Sequence, residues 1–226
     1  MFGWFKKKTP PQADTSSIRD TLFGDMPLET LAHGEERPSP WAEFSRVRNL
    51  LEAGDVPGAT LLLQKVVATP DLEPRHYLQA WDQLRKLGHV PSVGTTQILG
   101  VVVEVGMKEG LDILAAYADH SARYFNHSGA GVVWEHPDSS LDADIDQLLQ
   151  TATVIMHKIG PWQSPRPPAP PRGQARISML APAGLFFGEA PFRTLARDPL
   201  AGPAMAAATR LMQALIAKTE STQPMA

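Results

Sequence analysis

Three histidines beside predicted turns are the first residues that could do chemistry. They are His120, His127 and His136, in a chain with seven histidines and no cysteine. Imidazole nitrogens are common zinc ligands, but a site needs three or four converging donors, and none of these histidines belongs to a short-range pattern such as HxxxH. Exposed histidines in turns explain them more simply. The sequence therefore predicts no metal site and no cofactor.

A group of carboxylates lies between residues 135 and 146. Its members are Glu135, Asp138, Asp142, Asp144 and Asp146. Paired carboxylates can act as general acid and base, or bind Mg²⁺ or Ca²⁺. Four of the five, however, lie at or just before the predicted start of a helix, where the helix dipole alone favours acidic side chains. We interpret the group as a solvated helix start.

Motifs for phosphate binding and for an activated nucleophile are missing from the sequence. The glycines within 100–106 and 128–131 each precede a predicted strand, whereas a phosphate-binding loop joins a strand to a helix. A G-x-S-x-G elbow is absent. Whether the chain is an enzyme stays open, and a non-enzymatic protein is favoured. In an enzyme, the residues to test would belong to a site between sheet and helices: His120, Tyr124, His127, Glu135 and His136.

Composition limits the class of partner. The 226 residues carry a net charge of −3, which does not favour nucleic acid. The absence of cysteine is compatible with a reducing compartment. No apolar run approaches the ~20 residues needed to span a bilayer, and the first residues lack the order of a secretory signal. We therefore predict a cytoplasmic protein.

One alternative function comes from the first eight residues. Three aromatic side chains come before three lysines, an arrangement that suits a membrane interface with anionic lipid. So short a segment would bind weakly and reversibly by itself. The pattern indicates a peripheral membrane adaptor as an alternative. The residues concerned are Phe2, Trp4, Phe5, Lys6, Lys7 and Lys8.

The first part of the chain divides into two predicted segments. Residues 1–39 are expected to be largely disordered, apart from scattered apolar residues within 18–31 that could dock on the domain surface. Residues 40–92 are predicted to be helical, because apolar side chains recur there at steps of three and four. A short phrase also recurs in this segment. Gly-Asp-Val-Pro at 54–57 returns 34 residues later as Gly-His-Val-Pro at 88–91.

The recurrence points to a repeat that binds partners. Helix–turn–helix repeats that stack into a binding surface have a period of about 34 residues. Small Ala59 and bulky Leu63 also lie at the typical spacings, and residues 41–88 resemble tetratricopeptide-type helical hairpins. Bulky Val47 and Trp81 depart from the pattern, which has a small residue there. The resemblance implies that the segment holds a protein partner.

The second part of the chain, residues 93–220, is predicted to be an α+β domain, with a disordered tail at 221–226. Four strands precede an amphipathic helix, and two further strands precede a final helix. We therefore expect an antiparallel sheet covered on one face by two amphipathic helices. The strand at 111–118 is rich in alanine, which would also suit a helix. A crossing at 161–171 contains six prolines, and a rigid connector is favoured over a PxxP ligand.

The favoured function is a cytoplasmic, non-enzymatic protein–protein interaction module, acting as adaptor, chaperone or regulatory subunit. The partial repeat and the missing catalytic set support it. The alternatives are a small-molecule-binding protein or enzyme with its site between sheet and helices, and a peripheral membrane adaptor through residues 1–8. We expect a protein partner and no nucleic acid, and a homodimer stays open.

Overall fold

The computed structural model describes residues 15–31, 38–91 and 97–221. The aromatic and lysine residues between positions 2 and 8, which suggested a membrane contact, lie outside these ranges. None of the helices in the described part of the chain is long and apolar enough to cross a membrane.

The described residues fold into helices and strands in the predicted order, with two further helices that the sequence does not predict, at Thr15–Phe23 and Phe192–Leu195. The helices are α1 (Thr15–Phe23), α2 (Trp41–Glu52), α3 (Val56–Ala68), α4 (Pro74–Lys86), α5 (Asp142–Met156), α6 (Phe192–Leu195) and α7 (Gly202–Ser221). The strands are β1 (Gly100–Gly106), β2 (Leu111–Tyr117), β3 (Ala122–Phe125), β4 (Gly131–Trp134), β5 (Gln174–Ala181) and β6 (Gly184–Pro191). The alanine-rich segment at 111–118 is therefore a strand.

The strands form one antiparallel sheet in the order β4-β3-β2-β1-β5-β6. Strands β1 to β4 are consecutive neighbours, as short turns between antiparallel strands require. The chain then crosses the sheet through α5 and the proline-rich segment, and the β5–β6 hairpin returns to pair with β1. This arrangement confirms the predicted α+β class with helices before the sheet.

Helices α5 and α7 lie side by side on one side of the sheet, which we call the α5/α7 face. Their apolar stripes are buried because they pack on strand residues that point to the same side. Ile145 of α5 and Leu211 of α7 are both 0% exposed, as are Val101 and Met179 of the sheet. Burying a large aliphatic side chain contributes about 1.5–3 kcal/mol. This layer is the two-helix cover that the sequence predicts.

The opposite side of the sheet, the α1/α4 face, is covered as well. Leu22 and Phe23 of α1 and Leu78 of α4 pack there on the sheet. Tyr117 of β2 is fully buried, and its hydroxyl donates a 2.6 Å hydrogen bond to the carbonyl of Leu22. The α1/α4 layer is a second cover, in addition to the two helices that the sequence predicts on one face. Residues 15–23 form a helix in this layer, within a segment that the sequence predicts to be largely disordered apart from apolar residues of 18–31 that could dock on the domain surface.

The repeated phrase marks two equivalent helix ends. Gly54 and Gly88 follow α2 and α4 at φ of 77° and 85°, a backbone region that glycine adopts without steric cost. In each case the next residue donates to a carbonyl five positions back. Asp55 donates to Leu50 at 2.8 Å, and His89 donates to Leu84 at 2.9 Å. The resemblance to tetratricopeptide hairpins remains a prediction, since equal helix ends alone do not identify the family.

A buried ion-pair network holds the α1/α4 face together. The carboxylate of Glu104, in central strand β1, is 0% exposed. Arg19 Nε of α1 lies 2.6 Å from Glu104 Oε1, and Arg176 Nη1 of β5 lies 3.4 Å from Oε2. The two arginines also donate to the crossing, Arg19 to the Pro167 carbonyl at 3.1 Å and Arg176 to that of Pro168 at 2.9 Å. The proline-rich crossing is thereby fixed along the sheet.

Removing the buried negative charge should destabilise the whole chain. Glu104→Gln keeps the shape of the side chain but leaves two buried arginines without their shared carboxylate. We expect the free energy of unfolding to fall by about 3–5 kcal/mol, as for other broken buried ion pairs. Urea titration followed by circular dichroism measures it. Glu109→Gln, at a side chain that is 85% exposed, is the matched control and should change stability by less than about 0.5 kcal/mol. A Glu104→Gln protein as stable as the control would contradict this account.

Candidate functional site

A cavity of about 440 Å³ lies between the sheet and α7, on the α5/α7 face. It is found where the β1–β2 hairpin ends, and α6 borders it. Strand alternation brings Val103, Leu114 and Tyr124 to this side, and helical spacing brings Met205 and the neighbouring turns of α7 over them. The lining residues are Val103, Val105, Gly106, Met107, Asp112, Leu114, Tyr124, Gly173, Phe192, Met205, Ala208, Thr209 and Met212.

The cavity exists because small and adaptable side chains meet there. Ala208 is the small α7 residue among those that line it, and its methyl group leaves the space that a larger side chain would fill. Met107, Met205 and Met212 complete the wall, and the unbranched thioether of methionine adapts to ligands of different shape. Phe192 at the rim is 39% exposed. The wall is therefore apolar and able to adjust.

The Asp112 carboxylate contacts the polar groups at the edge of the cavity. The hydroxyl of Tyr124 donates to Asp112 Oδ2 at 3.3 Å. Asp112 Oδ1 accepts the backbone N–H of His127 at 2.7 Å and lies 3.1 Å from Nδ1 of the same ring. Leu114 pairs with Tyr124 across the strands, and Asp112 is two residues from Leu114 on the same face. The β2–β3 register thus creates the Asp112–Tyr124 contact.

The phenol of Tyr124 is a poor acid in this environment. Burial, reinforced by the neighbouring Asp112 carboxylate that its hydroxyl contacts, raises the pKa of Tyr124 to about 12. At neutral pH the group is protonated and acts as a hydrogen-bond donor, and it is not a ready proton acceptor. Asp112 is consequently the acceptor of this small network.

The structure separates the five residues proposed for an enzyme site into three places. Tyr124 and His127 meet at Asp112, as described above. His120 and His136 lie together at the opposite end of β3, with ring centroids 5.3 Å apart. Glu135 accepts a 2.6 Å hydrogen bond from Arg123.

Arg123 and Glu135 form an ion pair on the α1/α4 face. Arg123 is 5% exposed, and its guanidinium lies 5.7 Å from the ring centroid of buried Tyr117. Because Glu135 neutralises this buried cation, its carboxylate is already engaged in an ion pair at the sheet. Sequence reasoning missed Asp112, which no motif marks. Continuing the predicted strands into a register would have placed it beside Tyr124.

A second cavity, of about 480 Å³, lies between α4, the proline-rich crossing and the β5–β6 hairpin. Its charged groups already hold one another. Arg166 pairs with Asp20 and Asp25, at 2.6 Å from Asp25 Oδ2, and Arg85 donates to the Pro182 carbonyl at 2.7 Å. Burial raises the pKa of Asp25 despite its arginine partner. A ligand there would have to displace these contacts, so this cavity is the weaker candidate.

The lining of the first cavity suits the binding of a small molecule better than catalysis. Apolar walls with few polar groups are typical of small-molecule sites. Of the described residues that line it, Tyr124 and Thr209 carry the hydroxyls, and Thr209 Oγ1 donates to the Met205 carbonyl at 2.9 Å. Comparison with models of protein families, with curated proteins and with solved structures finds no match to this chain.

The tyrosine titration should report the Asp112 contact. Asp112→Asn removes a negative charge beside the phenol, so we expect the pKa of Tyr124 to fall from about 12 toward the ordinary value. Alkaline titration of tyrosinate absorbance measures the shift. Tyr124→Phe identifies the group, because this variant should lose that titration step and keep the others. An unchanged absorbance curve in Asp112→Asn would contradict the contact.

The same pKa has a consequence for stability. Its folded value lies above the ~10 of an unfolded tyrosine. The neutral phenol therefore contributes stability below about pH 10, and this contribution is lost as the pH rises toward the folded value. Tyr124→Phe should show a flatter decline in unfolding free energy over that range, measured by urea titration.

Proposed function

We propose that the protein is a non-enzymatic binding protein for a small, mainly apolar molecule that carries one hydrogen-bond donor. The single observation that supports this most is the apolar cavity of about 440 Å³ with the Asp112 carboxylate at its edge. Cavities that hold small molecules typically measure about 300–1,000 Å³. The site lies between sheet and helices.

Asp112 would give the ligand its orientation. A carboxylate has about four acceptor positions, and three donor groups occupy part of them: the Tyr124 hydroxyl and the backbone and ring of His127. The Asp112 side chain is 21% exposed, so a further donor can reach it from the cavity. A hydroxyl or amine on an otherwise apolar ligand satisfies both the wall and the carboxylate.

Binding rather than catalysis follows from the state of the polar groups. The Tyr124 phenol is protonated at neutral pH and donates to Asp112. Thr209 donates to its own helix, so its hydroxyl is not directed at a base. A nucleophile needs a base within hydrogen-bond reach. Among the described lining residues, Tyr124 and Asp112 form a hydroxyl–carboxylate pair, but with its pKa raised to about 12 the phenol does not readily give up its proton.

A second candidate, a protein–protein interaction module, is favoured by the exposure of the repeated valines. Val56 and Val90 occupy the same place in the two copies of the phrase and are 44% and 81% exposed. Val56, the first residue of α3, and Val90, four residues after α4, offer two apolar side chains that could contact a partner protein. This candidate uses the helical segment and is independent of the cavity.

Filling the cavity should abolish binding of an apolar probe. Ala208→Phe places a ring in the space beneath α7, whereas Ala206→Phe adds the same ring at an exposed position of the same helix. We expect the fluorescent probe N-phenyl-1-naphthylamine to bind the wild type and Ala206→Phe and to lose binding to Ala208→Phe. Fluorescence titration measures it, with the melting temperature as the folding check. Equal binding by folded Ala208→Phe would exclude this cavity.

The interaction candidate is tested at the valines. Charged side chains at both positions, Val56→Asp with Val90→Asp, should abolish recovery of a stoichiometric partner in affinity purification, because an apolar contact does not tolerate buried charges. Gln64→Asp, an exposed position on α3, is the control and should keep the partner. A wild-type purification without any stoichiometric protein would rule the candidate out.

A further inference from the structure

Two histidines face each other just beyond the β3–β4 ladder. Ala122 pairs with Trp134 in the register of these antiparallel strands. His120 lies two residues before Ala122, and His136 lies two residues after Trp134, so the same register continued outward places them opposite each other. Their ring centroids are 5.3 Å apart.

Helix α5 brings two carboxylates to the same place. His136 Nε2 lies 3.0 Å from Asp142 Oδ1, and His120 Nε2 lies 3.0 Å from Asp146 Oδ1. Asp142 and Asp146 are one helical turn apart and project from the same side of α5. The sequence predicts only a solvated helix start here, but each of these carboxylates contacts a histidine.

The donor atoms converge closely enough to share one ion. One ligand atom each from His120, His136 and Asp142 can be chosen so that all three lie within 4.8 Å of one another. A tetrahedral metal about 2.0–2.1 Å from its nitrogen and oxygen donors separates those donors by about 3.3 Å. The 3.0 Å between His136 and Asp142 already matches this edge. The other two donor pairs lie within 4.8 Å, so side-chain rotation has to bring them to this separation when an ion binds.

The backbone holds these donors in position from three elements. His120 and His136 have φ of 59° and 51°, a region that residues with a side chain rarely adopt. The His120 N–H donates to the Tyr117 carbonyl at 3.0 Å, which closes the β2–β3 turn. Asp138 Oδ1 accepts the Ser140 N–H at 2.8 Å immediately before α5 begins. The segment that leads to Asp142 is thereby fixed.

We propose that His120, His136 and Asp142 bind a divalent transition metal, for which Zn²⁺ is the probe. Two imidazoles and one carboxylate suit zinc and its neighbours better than Mg²⁺ or Ca²⁺, which prefer oxygen ligands. Asp146 orients His120 through its hydrogen bond, as carboxylates do for metal-bound histidines. His136 is 40% exposed in its side chain, so water can reach the fourth position. This proposal differs from the prediction made from the sequence, which is that the chain has no metal site.

Calorimetric titration of the full chain, purified without a histidine tag, tests the proposal. We expect one Zn²⁺ per chain. Because asparagine tolerates positive φ, His120→Asn and His136→Asn preserve the turn while removing the ligand. Each should weaken Zn²⁺ binding by more than about 100-fold, because a direct ligand is lost. Asp146→Asn removes only an outer-shell partner and should weaken Zn²⁺ binding by about 10-fold. His89→Asn, at an exposed histidine elsewhere, should leave it unchanged.

A spectroscopic arm separates this site from nonspecific binding. Co²⁺ in a site of low coordination number absorbs visible light, and this absorption should appear in the wild type and His89→Asn but not in His136→Asn. Zn²⁺ should also raise the melting temperature of the wild type and leave that of His136→Asn unchanged. No stoichiometric binding, or equal binding by folded His136→Asn and wild type, would overturn the proposal and leave two histidine–aspartate contacts only.

Discussion

The burial of one carboxylate in the middle of the sheet constrains most of this structure. Glu104 lies in β1, and a charge taken out of water is tolerated only when cations and hydrogen bonds compensate it. The compensation comes from two directions, Arg19 of α1 and Arg176 of β5. The first contact attaches the N-terminal helix to the sheet, and the second attaches the returning hairpin. The single side chain of Glu104 in β1 thus contacts both α1 and β5.

Further contacts depend on that attachment. With α1 in place, the Leu22 carbonyl meets the Tyr117 hydroxyl, and Leu22 and Phe23 pack beside Leu78 of α4. The helical segment is joined to the sheet through α1 and also directly through Leu78 of α4. Arg176 also pairs with Glu189 of β6, so the network reaches the edge of the sheet. The α1/α4 face is occupied by structure, and the candidate binding groups are found on or beside the α5/α7 face.

Local pattern predicted the elements, because helix and strand periodicity are properties of neighbouring residues. The α+β class and all six strands follow from such patterns, and so do α2 to α5 and α7. Contacts that depend on strand register or on distant pairing could not be predicted from these local patterns. Arg19 and Glu104 are 85 residues apart, and no local signal shows that α1 carries the partner of a buried acid. For the same reason, apolar side chains in 18–31 could not be assigned to the core.

The same limit explains the sites. Only the antiparallel register shows that Asp112 lies beside Tyr124, and that His120 lies beside His136. The histidines have the right residue type but lack the short spacing of known metal motifs, and short spacing is a criterion that suits helices and tight loops. In a hairpin, two ligands can be neighbours at any separation that the register allows. Metal and ligand groups on antiparallel sheets are therefore better sought by pairing the predicted strands than by scanning for motifs.

Helix α7 connects the two proposed sites physically. Its middle part lines the cavity through Met205 and Ala208, while Lys218 near its end donates to Ser140 Oγ at 2.7 Å, two residues before Asp142. Lys218 also lies 5.2 Å from the ring centroid of Trp134, the strand residue that precedes His136 by two positions. Since Ala208 and His136 share none of these contacts, substitutions at the two positions act on separate groups, and their effects on stability should add.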